Sequence, residues 1–211
     1  MRRITVALSA LGMMMFGAGS AQAATLTSSN GIISYVADQG ERNDLVVGTG
    51  TLLGLPVYTF TDNDANPIKI GGGYCQLING VGMCRQDLVS SFVLDVRDRD
   101  DTVEIATSGA DGMAPPAIPS TIIGGRGVDV LEGGNGPDLL KGNDGRDDLR
   151  GRQGADVYLG GRGNDTLQTL DGEPDTSISC GEGVRDLLRG DTVDPKPKSC
   201  ELGGLDPGKR F

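Results

Sequence analysis

Between Gly124 and Gln168 a large apolar side chain returns at every ninth position, as Leu131, Leu140, Leu149, Tyr158 and Leu167. A spacing of nine fits neither an amphipathic helix nor a long half-buried strand, whose apolar positions recur every 3.6 or every two residues. The blocks read GGRGVDVLE, GGNGPDLLK, GNDGRDDLR, GRQGADVYL and GGRGNDTLQ, with glycine opening each block and filling its fourth place and aspartate filling the sixth. Six residues with glycine at places one, two and four turn sharply, because glycine enters left-handed backbone freely. The next three form a short strand whose middle side chain, at place eight, points inward. A single block cannot bury one apolar residue alone, so blocks must stack. Two blocks then make one coil that advances by one strand spacing, roughly 4.8 Å. Alternate blocks lie above one another, which sets Asp129 beside Asp147, Asp138 beside Asp156, and Asp147 beside Asp165. The predicted fold is all-β, a right-handed parallel β-roll of nonapeptide repeats.

Upstream, β-branched and apolar runs predict short strands at 32–36, 44–47, 57–61, 75–78, 91–96 and 102–105. The turns between them hold Asp62-Asn63-Asp64, Asn66-Pro67 and Gly71-Gly72-Gly73. Residues 40–46 and 97–104 keep the late part of the nonapeptide, aspartate followed by a strand, but lose its glycines, so they are expected to continue the coil without binding metal. Asp98, Asp100 and Asp101 read as a solvated charge run. The chain divides into a signal peptide at 1–23, an all-β region at 24–107 packed on or continuing the solenoid, and a Pro/Gly-rich loop or linker at 108–120. The roll follows at 121–190, then a cap and tail at 191–211. Beyond Gln168 the period slips, and Asp175 and Asp186 are expected to be poorer ligands. Arg152 and Asn143 stand where the second glycine belongs, asparagine being the easier of the two in left-handed backbone. The bulk of Tyr158 predicts distortion of the fourth block.

Composition strengthens this picture: 35 glycines, no histidine, no tryptophan and 4% aromatic residues argue against a large conventional core. Stacked carboxylates repel unless a cation neutralises them, and glycine turns expose carbonyl oxygens. Carboxylates with carbonyls in a flexible oxygen shell describe a Ca²⁺ site. The blocks resemble the repeats-in-toxin, or hemolysin-type, calcium-binding β-roll. That resemblance implies Asp129, Asp138, Asp147, Asp156 and Asp165 as ligands and Gly125, Gly127, Gly134, Gly136, Gly145, Gly154 and Gly163 as carbonyl donors. More loosely, the N-terminal half resembles that of small exported actinobacterial-type calcium-binding proteins. Arg126, Lys141, Arg146, Arg150, Arg152 and Arg162 nearly offset the acids of the blocks, which predicts weaker calcium binding than in a roll poor in bases.

Arg2 and Arg3, the apolar run from Ile4 to about Ala18, and Ala21-Gln22-Ala23 have the form of a secretory signal. Its removal takes the net charge from −10 to −12. So acidic a chain is not expected to bind nucleic acid, nor to enter a membrane after cleavage, but to seek cations. An extracellular protein or polysaccharide partner is left open. Four cysteines in an exported chain indicate disulfides. Of three pairings, neighbour joining is expected: Cys75 with Cys84 across an Asn79-Gly80 turn, and Cys180 with Cys200. Without histidine there is no Ser-His-Asp triad or Cys-His pair, and neither H-E-x-x-H nor G-x-S-x-G occurs. A calcium-binding protein rather than an enzyme is expected, the alternative being a secreted hydrolase-like enzyme on a calcium-stabilised scaffold.

Overall fold

The computed structural model describes residues 23–64, 67–109 and 115–200, with the backbone of 202–205. All but Ala23 of the expected signal segment, the middle of the proline-rich loop and the end of the tail lie outside the described residues. Eighteen strands follow in chain order: β1 Thr25–Ser29, β2 Ile32–Val36, β3 Asp44–Leu52, β4 Leu55–Asp62, β5 Lys69–Gly72, β6 Cys75–Ile78, β7 Val81–Arg85, β8 Ser91–Asp95, β9 Thr102–Ile105, β10 Ser120–Gly127, β11 Val130–Glu132, β12 Asp138–Gly145, β13 Asp148–Arg150, β14 Val157–Gly163, β15 Thr166–Gln168, β16 Ser177–Glu182, β17 Leu187–Gly190 and β18 Leu202–Leu205.

They form two sheets. One runs β16-β14-β12-β10-β8-β2-β1-β5, the other β18-β17-β15-β13-β11-β9-β3-β4-β7-β6. From β2 and β3 onward every coil adds one parallel strand to each sheet, the arrangement of a β-roll. Within the repeats the register step is 18 residues, two nonapeptides: Ile122 pairs with Leu140 and Leu140 with Tyr158, while Leu131 pairs with Leu149 and Leu149 with Leu167.

The inward side chains form two unbroken columns. Tyr35, Leu94, Ile122, Leu140, Tyr158 and Ile178 line one sheet, and Leu45, Val103, Leu131, Leu149, Leu167 and Leu188 the other; all are buried. Each buried side chain of this size contributes about 1.5–3 kcal/mol. The sheets run without a break from the first strands into the repeats, since β8 pairs with β10 and β9 with β11.

The N-terminal end is closed by antiparallel strands. β1 folds back on β2, and β3, β4, β7 and β6 form a meander. Cys75 and Cys84 face each other directly across β6 and β7 and are disulfide-bonded, as are Cys180 and Cys200. Here the core is conventional, with Phe92 edge-on to Tyr58 at 4.9 Å and to Phe60 at 5.7 Å. At the other end Lys198 bridges to β16, donating its N–H to the Ile178 carbonyl and accepting from Cys180 N–H. Four strands, β1, β5, β7 and β18, are absent from the sequence reading. Gly71 and Gly72, read there as a turn, lie in β5, which pairs parallel with β1: Thr25 and Leu26 face Lys69 and Ile70, and Thr27 faces Gly72 across a register shift.

Candidate metal centre

Turns join the sheets along two edges. The first edge leads from the β10 sheet to the β11 sheet through turns 124–129, 142–147 and 160–165, extended by 96–101 and 180–186. The second leads back through 133–138, 151–156 and 169–175. Each edge carries a ladder in which a backbone N–H donates to the side-chain Oδ1 of the equivalent residue one coil on. On the first edge it runs from Asn43 to Asp101 at 2.6 Å, to Asp129 at 2.9 Å, to Asp147 and Asp165 at 3.0 Å each, and to Asp186 at 2.9 Å. On the second it runs from Ser120 to Asp138 and Asp156 at 2.8 Å each, then to Asp175 at 3.1 Å and Asp194 at 3.3 Å. The sixth place is therefore fixed by the backbone ladder before any ligand is considered.

The sequence reading places five aspartates here, with Asp175 and Asp186 as poorer ones; the structure sets all seven on the ladder and adds Asp101 and Asp194. Asp101 corrects the solvated-run reading, being 1% exposed while its neighbour Asp100 stays in solvent. Its signal was present as an aspartate two places before the inward Val103, the spacing of every repeat. Asp175 and Asp186 keep their places on the ladder despite the inserted residues.

The second oxygens are the unusual ones. Asp101, Asp129, Asp147, Asp156, Asp165 and Asp175 each bury an Oδ2 that accepts no hydrogen bond among the described residues. A buried acceptor without a donor is costly, more so for a charged one. Burial raises these carboxyls above the usual range, to about 7 for Asp101, Asp129 and Asp156, about 6 for Asp147 and Asp165, and about 8 for Asp175. Asp138, raised to about 6 by burial, has both oxygens hydrogen-bonded.

The glycines explain themselves by contact. A methyl group on Gly124, Gly142 or Gly160 would overlap the Oδ2 of Asp129, Asp147 or Asp165 in its own turn. On Gly142 it would also meet the Gly160 carbonyl 2.6 Å away. At the second and fourth places, methyls on Gly125, Gly127, Gly145, Gly161, Gly163 and Gly181 would strike the carbonyl of the equivalent residue one coil back. Without glycine, Arg97 and Arg99 still take φ of 70° and 93°, and Asn143 and Arg152 take 74° and 72°. The Arg152 guanidinium donates to the Ile105 carbonyl at 2.9 Å and to Glu104 at 3.1 Å, and pairs with Glu132.

One further expectation is revised by these contacts. Tyr158 does not distort its block: the register with β12 is unbroken, because the ring lies in the apolar column and its hydroxyl reaches Gly151. Four of the bases pair with acids outside the ladder. Arg126 and Arg162 alternate with Asp144 and Glu182 in an exposed column, and Arg150 and Arg152 pair with Glu132, Asp148 and Glu104 on the outer sheet face.

Among the described residues no three acidic or cysteine side chains gather where they could hold one metal. A cation held by the ladder must therefore draw much of its shell from carbonyls. Unpartnered carboxylate oxygens beside carbonyls, with no nitrogen or sulfur donor, fit a hard, oxygen-seeking ion such as Ca²⁺. Fold and turns together define a calcium-binding parallel β-roll. Residues 123–158 and 132–167 match the family model of the RTX calcium-binding nonapeptide repeat, in four copies, so this segment consists of hemolysin-type calcium-binding repeats. No curated protein and no solved structure matches the chain.

Proposed function

We propose that this is an exported calcium-binding protein whose repeat region folds on the cation and serves a structural or interaction role outside the cell. The observation that carries it is the column of buried, unpartnered Oδ2 atoms seated over first-place glycines. Bound Ca²⁺ would supply positive charge between coils whose carboxylates otherwise repel. The chain's own part is to hold those oxygens in place: Oδ1 is tied to the neighbouring coil, the glycines admit carbonyls where a side chain would block them, and the apolar columns set the coil spacing.

Export is supported by the signal-like sequence at 1–23 and by the two disulfides, which persist in oxidising compartments. A binding role rather than catalysis is supported by the absence of histidine and of hydrolase motifs from the sequence. Because the cation binds the ordered roll and not the unfolded chain, order in the repeats is linked to calcium concentration. Extracellular modules with such ligands often work near ~10⁻⁴ to 10⁻³ M. Calorimetric titration of the mature chain with CaCl₂, followed by circular dichroism, tests this. Heat of binding with a gain of β signal is expected; neither signal by several millimolar, on the order of the weakest such modules, would refute it.

A further inference from the structure

The two edges of the roll are not equivalent. On the first edge the turns repeat closely. Gly124, Gly142 and Gly160 stand at the first place, the Oδ2 of Asp129, Asp147 and Asp165 lies over each of them, and none of the three oxygens has a hydrogen-bond donor among the described residues. Left-handed backbone recurs at the second and fourth places, in Gly125 and Gly127, in Asn143 and Gly145, and in Gly161 and Gly163. Carbonyls of successive coils consequently stack beside the carboxylates.

On the second edge Asp156 and Asp175 likewise bury an Oδ2 without a donor among the described residues, and Arg152 and Gly154 take left-handed φ, but each turn carries one protein group that the first edge lacks. In turn 133–138 the Gly134 N–H donates to Asp138 Oδ2 at 2.7 Å, so neither carboxylate oxygen is left over. Gly134 and Gly136 do not take left-handed φ, so this turn lacks the backbone form of the first edge. In turn 151–156 the Tyr158 Oη accepts the Gly151 N–H at 2.9 Å and occupies space that a methyl on Gly151 would enter, beside Asp156. The matching side chains on the first edge, Leu131, Leu149 and Leu167, bring no polar atom there. In turn 169–175 threonine replaces the first glycine, and Thr169 Oγ1 donates to Asp194 Oδ2 at 2.7 Å.

We infer that the roll binds calcium along its first edge only, at Asp129, Asp147 and Asp165, while the Gly134 amide, the Tyr158 hydroxyl and Thr169 close the second edge without metal. This rests on the calcium reading above and narrows it. The consensus hides the difference, because Asp138 and Asp156 satisfy it as well as their first-edge counterparts. What separates the edges is the added protein group: an amide on Asp138 Oδ2, a tyrosine hydroxyl beside Asp156, and threonine in place of the first glycine in turn 169–175.

Equilibrium dialysis of the full mature chain against calcium decides the matter. Three ions per chain are expected, and Asp147→Asn should lower that number whereas Tyr158→Phe, which keeps the ring and removes the plugging oxygen, should raise it by one. Tyr158→Leu, which places in this column the residue of the neighbouring blocks, is expected to show the same gain and guards against a misfolded phenylalanine variant; circular dichroism at saturating calcium reports the fold of each. Five or more equivalent ions in the unmodified chain would overturn the one-edged assignment and leave the calcium reading standing. So would an unchanged or smaller number in both Tyr158 variants. No bound calcium in any form would overturn both.

Discussion

At the scale of single residues, the glycines of the roll fall into two kinds. Gly163 has φ of +134°, and a methyl there would run into the Gly145 carbonyl; Gly172 has φ of +86° and open space around its missing Cβ. Both suffer from left-handed backbone when given a side chain, at roughly 1–2 kcal/mol, but only Gly163 must also push a strand of the next coil away. Gly163→Ala is therefore expected to destabilise the calcium-loaded chain by at least about 1 kcal/mol more than Gly172→Ala, within the range of strain and overpacking costs. Urea unfolding in saturating calcium measures the difference. Equal midpoints would mean that close stacking of carbonyls does not explain the glycine columns.

At the scale of the coil, the ladder is a row of carboxylates whose folded pKa values lie well above those of the unfolded chain. Asp129 and Asp156 stand at about 7, and Asp138, Asp147 and Asp165 at about 6, all raised by burial first. A raised carboxyl favours the folded state fully below its unfolded value of about 4 and loses that contribution as pH rises through the folded value. The calcium-free chain is thus expected to gain stability as pH falls from about 7.5 to about 5, because protons take over the neutralising part assigned to the cation. Thermal unfolding in chelator across that window reads it directly, and a melting temperature that falls on acidification would contradict the metal-free ladder. The coil was also the part most legible in sequence. Period, inward residue and sixth-place aspartate are local features, so their positions followed from stacking alone. Asp101 escaped because Arg97 and Arg99 imitate glycine's backbone when the neighbouring coil holds them, which no local pattern reveals. The closing groups of the second edge escaped for a related reason: Tyr158 sits two places beyond Asp156, but its hydroxyl acts on Gly151, across the turn.

At the scale of the molecule, one stack of coils passes from an oily core to a metal-dependent one. The column that holds Asp138 and, one coil before it, Ser120 continues through Phe92 to Ile33. The first place of the turn, glycine in every repeat, is occupied by the buried Val96 in turn 96–101. Apolar side chains thus fill, near the N-terminus, the volumes that carboxylates and carbonyls line in the repeats. Phe92, Tyr58, Phe60 and Leu26 pack there with the Cys75–Cys84 disulfide nearby. A coil of the repeats adds only two inward apolar side chains for 18 ordered residues, too little to offset backbone ordering at about 1–2 kcal/mol per residue without the hydrogen-bond ladder and a neutralising charge. The N-terminal end therefore acts as a preformed template that presents the strand edges of β8 and β9 to the first repeat. Removing calcium is expected to release the repeats while β2, β3, β4 and β8 stay folded, since that core is apolar and meets the ladder only at its first rung, from Asn43 to Asp101. Hydrogen exchange of the mature chain in chelator should then show protection retained in 32–62 and 91–95 and lost from about 138 to 168, with the boundary moving toward the C-terminus as calcium is restored. Uniform loss across both regions would mean that the oily end cannot stand without the roll, and that the whole stack folds as one calcium-dependent unit.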